Sequence, residues 1–319
     1  MIQRRLALLL PLLFASALHA QTWPAKPVRI IVPFAPGGPA DVLARVIGQE
    51  LSDTLGQPFV VENKVGAAGN IGVEQIAKAA PDGYTLGIVP VGNIAVNPSL
   101  FPALPYKASE LAPVAMLATV ENVLAVNAEV PAHSLKELLA LAKQKPGTLS
   151  FASPGAGSQA HLAGELMALE ADVKLIHVPY KGIGPAINDL VGGQVTMMFG
   201  AMSAVLPHIK SGKLRALGVA SLKRSAAMPE LPTIAEQGLP KFEAVSWYAL
   251  MAPAGTPAAV VDRLNAESAR SLAKPAIKEK FAAQGLEPGS GKPQDLAATI
   301  RTETARWSEV IKKQNIKPD

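Results

Sequence analysis

From residue 28 onwards the chain alternates between short β-branched runs and longer stretches whose apolar residues recur every three or four positions. Residues 28–33 (VRIIVP) predict a strand, 34–39 (FAPGGP) a turn-rich loop, and 40–55 a helix with Val42, Leu43, Val46, Ile47 and Leu51 at helical spacing. Strands at 59–62 and 84–89 then flank a helix at 70–80, and short strands follow at 114–117 and 123–126. A second series opens with a helix at 135–145, introduced by Ser134 with Glu137 three residues on, the pairing of a capping box. It continues as strand 149–152, helix 158–170, strand 175–178, helix 185–191, strand 195–199, helix 204–211 and strand 215–219. Beyond a Pro/Gly-rich stretch at 229–240, residues 247–251 predict a strand, and three helices at 257–272, 276–284 and 294–313 close the chain. The last carries Leu296, Ile300, Trp307, Val310 and Ile311 along one face.

Repeated strand–loop–helix units predict α/β lobes with mostly parallel sheets, and two such series predict two lobes. The closing helices have few strands of their own, so they are expected to pack back on the first lobe. That makes the first lobe discontinuous, 21–125 with 246–319, around a second lobe at 126–245, with chain crossings near 124–127 and 244–247.

The first 20 residues stand apart. Arg4 and Arg5 precede an apolar run over 6–18, and Ala20 supplies a small residue at the expected cleavage position, although Leu18 spoils the A-x-A match. The run is too short and wrongly flanked for a membrane-spanning helix and reads as a secretory signal, with a membrane anchor as the rival reading. The expected product starts near Gln21, exported, soluble and without a lipid-modified cysteine. Losing Arg4 and Arg5 lowers the formal charge from +5 to +3. With no cysteine at all, a disulfide scaffold, a thiol nucleophile, a thiolate zinc site and an iron–sulfur cluster are excluded. The small positive charge and 5% aromatic content do not suit nucleic-acid binding.

Ligands of open α/β sheets sit outside the carboxyl ends of the strands, so the loops that follow strands carry the candidate chemistry. Two stand out: Phe34, Ala35, Pro36, Gly37, Gly38, Pro39, Ala40 and Asp41, and Ser153, Pro154, Gly155, Ala156, Gly157, Ser158, Gln159, Ala160 and His161. Each leads from a strand to a helix, whose N-terminus exposes unpaired N–H groups with a positive partial charge, and glycine lets an anion approach closely. Taken singly each is equally a tight βα turn; as a pair facing one cleft they favour binding of an anionic ligand. A nucleotide is disfavoured: Gly155, Gly157 and Ala160 match a loose dinucleotide fingerprint, but no acidic residue ends the next strand. The run 289–293 (GSGKP) lacks the first glycine and the Ser/Thr of a P-loop.

Ser158 with His161 invites a hydrolase reading, but no G-x-S-x-G elbow surrounds the serine, which reads better as a helix cap. His161 with Glu165 has metal-ligand spacing, but the five histidines form no dense motif, and no metal or other cofactor is expected. Asp41 is a candidate carboxylate, for loop support or for a ligand amine or water. Asn63 to Gly72 either shapes the cleft or only turns the chain, and Lys181 is either a ligand cation or a solvated lysine.

The ordered motifs VPFAPGGPADVLAR (32–45), ENKVGAAGNIG (62–72), APDGYTL (80–86), SPGAGSQAHLAGE (153–165), HVPYKG (177–182), GKLRALGV (212–219), LPTIAEQGLP (231–240) and APAGTP (252–257) resemble the Bug/TctC family. These are the extracytoplasmic solute receptors of tripartite tricarboxylate transport systems, and the likeness runs from about Trp23 to the C-terminus. The resemblance implies a type 2 periplasmic-binding-protein fold, two Rossmann-like lobes hinged around a ligand cleft. It implies a monomeric receptor in the periplasm for di- or tricarboxylates, acidic amino acids or aromatic acids, and membrane partners in a tripartite transporter. Its two pincer loops match Phe34, Ala35, Pro36, Gly37, Gly38 and Asp41 on one side and Ser153, Gly157, Ser158, Gln159 and His161 on the other, with Asn93 a weaker match. One departure stands in the strand at 195–199: the family usually has Asp after the Phe, and here Gly200 follows Phe199. That argues against an amino-acid ligand and is expected to leave more room on the cleft wall. A sensor that presents its ligand to a membrane signalling protein and an exported hydrolase using Ser158 and His161 remain the rival readings.

Overall fold

The computed structural model describes residues 23–155, 157–180 and 182–318; the expected signal segment, the expected start at Gln21 and Lys181 lie outside the described residues. Among the described residues no helix is long and apolar enough to cross a membrane.

The elements follow the hydrophobic pattern. Strand β1 (Val28–Val32), helix α1 (Pro39–Leu55), β2 (Phe59–Asn63), α2 (Asn70–Ala77) and β3 (Thr85–Pro90) build the first part. There follow a π-helical turn (Gly92–Val96), a short α3 (Asn97–Leu100) and β4 (Leu111–Val120). Then come β5 (Asn122–Asn127), α4 (Leu135–Gln144), β6 (Ser150–Ser153), α5 (Gln159–Ala171), β7 (Ile176–Pro179), α6 (Ile183–Val191), β8 (Met197–Ala201), α7 (Met202–Lys210) and β9 (Leu214–Val219). The chain ends with β10 (Ser246–Pro253), α8 (Ala258–Ala273), α9 (Pro275–Ala282), a two-residue β11 (Glu287–Pro288) and α10 (Pro293–Lys313). α1 buries Leu43, Ile47, Leu51 and Leu55 along one side, and Ser134 caps α4 by accepting the N–H of Glu137 at 3.2 Å.

Two sheets result. Their orders are β11-β4-β10-β3-β1-β2 and β7-β6-β8-β5-β9. Over four strands the orders are equivalent: β1 and β6 each lie between two parallel neighbours, and beyond β3 and β8 the strands β10 and β5 run antiparallel. The expectation of mostly parallel sheets is therefore corrected to mixed sheets. Parallel pairing needs a long crossover, usually a helix. Strands β5 and β10 instead enter directly from the other lobe and run against their neighbours.

The first crossing also moves. β4 ends at Val120 and β5 begins at Asn122, and all of β5 pairs with β8 and β9 in the second sheet. A boundary at 125/126 would cut this strand; the change of sheet falls at Glu121. The two crossings are tied together by Asn122, whose Nδ2 donates to the carbonyl of Ala244 at 2.8 Å. The last helix does more than cover the first lobe: its Trp307 shares one apolar core with residues of both sheets, and Gln314 Nε2 beyond its end donates to the Glu165 carbonyl of α5 at 3.3 Å.

Candidate ligand-binding site

In each sheet the chain leaves the first parallel strand to one side and then returns to the other, so the carboxyl ends of β1 and β3, and of β6 and β8, are topological switch points. The loops after β1 and β6 meet there across a cavity of about 830 Å³. Phe34, Ala35, Pro36 and Gly38 line it from the first loop, Gly157, Ser158 and Gln159 from the second, and Asn93 from the π-helical turn after β3.

Asp41, Gly37, Ser153 and His161, named from the sequence as ligand residues, and Gly200, named for the cleft wall, are not among the residues that line the cavity. Asp41 lies in the first turn of α1, 3% exposed, and folds back on its own loop. Its carboxylate takes two bonds from Arg45 at 2.9 and 3.0 Å, one from Asn63 Nδ2 at 3.0 Å and one from the Gly37 N–H at 3.0 Å. The Arg45 bonds chiefly, helped by Gly37 and Asn63, hold the carboxyl down to about 2 against the opposing effect of burial. Asn63 also donates to the carbonyl of Phe34 at 2.9 Å, so one carboxylate and one amide brace the whole turn, in which Gly37 has φ +87°.

The second loop is braced without an ion pair of this kind. Ser153 is fully buried, with Oγ 2.7 Å from His177 Nε2, and it accepts the N–H of Gly155 at 3.2 Å. His161 Nδ1 accepts the N–H of Gly157 at 3.0 Å, and its ring stacks on His177 with centroids 3.6 Å apart. Ser158 Oγ accepts the backbone N–H of His161 at 3.3 Å, which makes it the cap of α5. With Nδ1 turned to Gly157 and the serine oxygen to a backbone N–H, the two side chains are not arranged as nucleophile and base. Gly157, at φ +73°, brings this loop against Leu100 of the first lobe: a Cβ there would collide with the Leu100 side chain.

Gly200 is a second correction. Its neighbours Phe199 and Ala201 line the cavity, but a Cβ at 200 would point into Val205 of α7. Alternation along β8 turns this position away from the cleft, so Gly200 makes no room there. Lys181 lies outside the described residues. Within 63–72 the cleft gains Ala68, while Gly69 is packed against Phe34 and Asn93. Asn93 itself is buried, donating to the Ala68 carbonyl at 3.0 Å while its own carbonyl accepts the Tyr106 hydroxyl at 2.7 Å.

Sequence reasoning missed the contribution of the crossing strands. Asn122 at the start of β5 and Ser246, Trp247 and Tyr248 at the start of β10 all line the cavity. Their signal was the return crossing itself: a strand entering antiparallel begins where its parallel neighbours end, as Tyr248 opposite Pro90 and Asn122 opposite Ala201 do. Burial pushes the Tyr248 phenol up to about 12, so it stays a neutral hydroxyl. Both amide atoms of Gln159 and the indole Nε1 of Trp247 are buried without a hydrogen-bond partner among the described residues. Buried polar groups are usually paired; both residues line the cavity, while these atoms themselves are closed off from it. Among the described residues no three His, Asp or Glu side chains gather where they would hold a metal ion.

Two α/β lobes of this topology around such a cleft define a periplasmic solute-binding protein of the type 2 class. Residues 43–316 match the tripartite tricarboxylate transporter family receptor profile, and the chain belongs to that family, one of receptors and not of enzymes. It is 45% identical over 305 residues to Protein BugT of Bordetella pertussis, covering 95% of this chain and 94% of that one. A protein of R. palustris solved with adipate is 38% identical, with a TM-score of 0.78 over 93% of this chain and 100% of that one. MatC of Rhodopseudomonas palustris, solved with bound malate, is 34% identical, with a TM-score of 0.73 over 91% of this chain and 100% of that one.

Proposed function

We propose that the protein captures a small carboxylate in the periplasm, between the loops after β1 and β6, and delivers it to the membrane components of a tripartite tricarboxylate transporter. The observation that carries this reading is the cavity of about 830 Å³ onto which the loops leading into α1 and α5 open, with Gln159 and Trp247 among the residues that line it. The malate and adipate held by two relatives support the ligand class. Hydrogen bonds to a charged group contribute about 1.5–3 kcal/mol each, and a micromolar Kd corresponds to about −8.2 kcal/mol, so a few N–H donors suffice after ordering costs. Closure of the lobes over the acid would present a new surface to the transporter, because only contacts that differ between open and closed states report occupancy.

The test is thermal unfolding of the exported chain against dicarboxylates, tricarboxylates, aromatic acids, amino acids and neutral sugars. Ligand at 100 times its Kd adds about 2.7 kcal/mol of stability, a clear rise in midpoint. A rise confined to carboxylates supports the reading; a rise with sugars alone, or with none of the panel, overturns it.

A further inference from the structure

Consecutive residues of β10 point to opposite faces of its sheet, and at the cleft the two faces fare differently. Trp247 turns into the apolar core that both sheets share and is 4% exposed, with its Nε1 closed off. Tyr248 turns to the other face, where it packs against the core that includes Leu43, Val120 and Phe281 and stays only half-buried. It lines the cavity, and its hydroxyl, unlike Trp247 Nε1, is not shut away from solvent.

That hydroxyl has no hydrogen-bond partner among the described residues, and burial alone pushes the phenol up to about 12. The strand ends on either side, Pro90 of β3 and Val120 of β4, line the cavity too and bring no polar side chain. The amide that the other crossing strand brings is already engaged: Asn122 Nδ2 donates to the Ala244 carbonyl at 2.8 Å and to Ser246 Oγ at 3.4 Å. Tyr248 therefore offers the cavity an uncommitted neutral O–H, one donor with acceptor capacity besides. Polar groups set in apolar surroundings are usually paired, and a hydrogen bond to an ionised oxygen is stronger than one to a neutral group.

Resting on the carboxylate-receptor reading above, we infer that Tyr248 is a specificity-determining residue: its hydroxyl selects acids that carry a second oxygen function, a hydroxyl or a further carboxylate, over plain alkyl or aryl monocarboxylates. The ring contributes apolar contact to either kind of acid, and only the O–H tells them apart.

The experiment is calorimetric titration of the purified protein with three pairs of acids, adipate and hexanoate, malate and butyrate, 4-hydroxybenzoate and benzoate, repeated on Tyr248→Phe. In the unaltered protein at least one oxygen-bearing member is expected to bind about tenfold or more tightly than its plain partner, and Tyr248→Phe to cut that preference by about tenfold. Without ligand the variant should unfold at the same midpoint, because the hydroxyl has no protein partner to lose. A preference that survives the substitution, equal losses for both members of a pair, a fall in the ligand-free midpoint with the preference unchanged, or tighter binding of the plain acids overturns this inference and leaves the receptor reading intact. Silence from all six acids also overturns it, and the receptor reading falls with it only if the wider panel of acids above is silent too.

Discussion

In the first lobe the loop after β1 is held from behind by the carboxylate of Asp41, gripped by Arg45 and Asn63. In the second, the loop after β6 occupies the equivalent place in its sheet, and histidine and hydroxyl contacts hold it: Ser153 against His177, and His161, with Glu165 behind it at 3.5 Å, under the Gly157 N–H. One topology thus yields two helix ends of different electrical character. The end at α1 carries an acidic side chain in its first turn, turned back to the Gly37 N–H and Arg45. The end at α5 has the hydroxyl of Ser158 as its cap and no acidic residue in its first turn.

The largest effect expected from breaking this contrast is at Asp41. Asp41→Ala takes the acceptor from the Asn63 amide and the Gly37 N–H and releases the half-exposed Arg45 to water, and should cost about 2 kcal/mol in urea unfolding. A cost below about 0.5 kcal/mol, the scale of an ordinary surface change, would remove the brace from the account. The same group sets an acid limb. Its folded pKa of about 2 lies below the reference 3.8, so its contribution is complete above about pH 4 and is lost as the pH falls through about 2. That loss should amount to about 2 kcal/mol at most, smaller in high salt because Arg45 is half exposed, and the limb should flatten in Asp41→Asn.

The second loop should answer to acceptors instead of charge. His161→Leu leaves the Gly157 N–H unpaired and should cost about 1–2 kcal/mol, whereas His161→Asn, whose amide oxygen takes the place of Nδ1, should recover most of it. Equal losses in the two variants would show that the ring's packing on His177, not its acceptor, supports the loop. Smallest is Ser158→Ala, which deletes the cap of α5 and should cost about 1 kcal/mol in thermal or urea unfolding. A neutral outcome there would mean that water caps the helix as well as the hydroxyl does.

Much of the fold was legible because helix and strand periods are local. Ser134 and Glu137 marked the start of α4, and Leu43, Ile47 and Leu51 marked the buried side of α1. The turn at Gly92–Val96 was not legible, since its five residues carry no period of their own. Strand direction was also hidden: nothing in the composition of 247–251 says that β10 runs against β3 and so delivers Trp247 and Tyr248 to the cleft. The glycine-rich loops were visible as segments, but the direction of each side chain was not. Asp41 and His161 are near enough in sequence to touch a ligand, yet backbone N–H groups four residues earlier claim them first. Gly200 was misjudged because one step along a strand reverses the face.

The most direct measurement of the central contrast is a crystal structure of the protein with the acid that raises its unfolding midpoint most. The account predicts carboxylate oxygens about 3 Å from the N–H groups of Gln159 and Ala160, with the Asp41–Arg45 brace unchanged behind the opposite loop. A carboxylate seated instead on Gly38 and the start of α1, with only water at the α5 end, would contradict it.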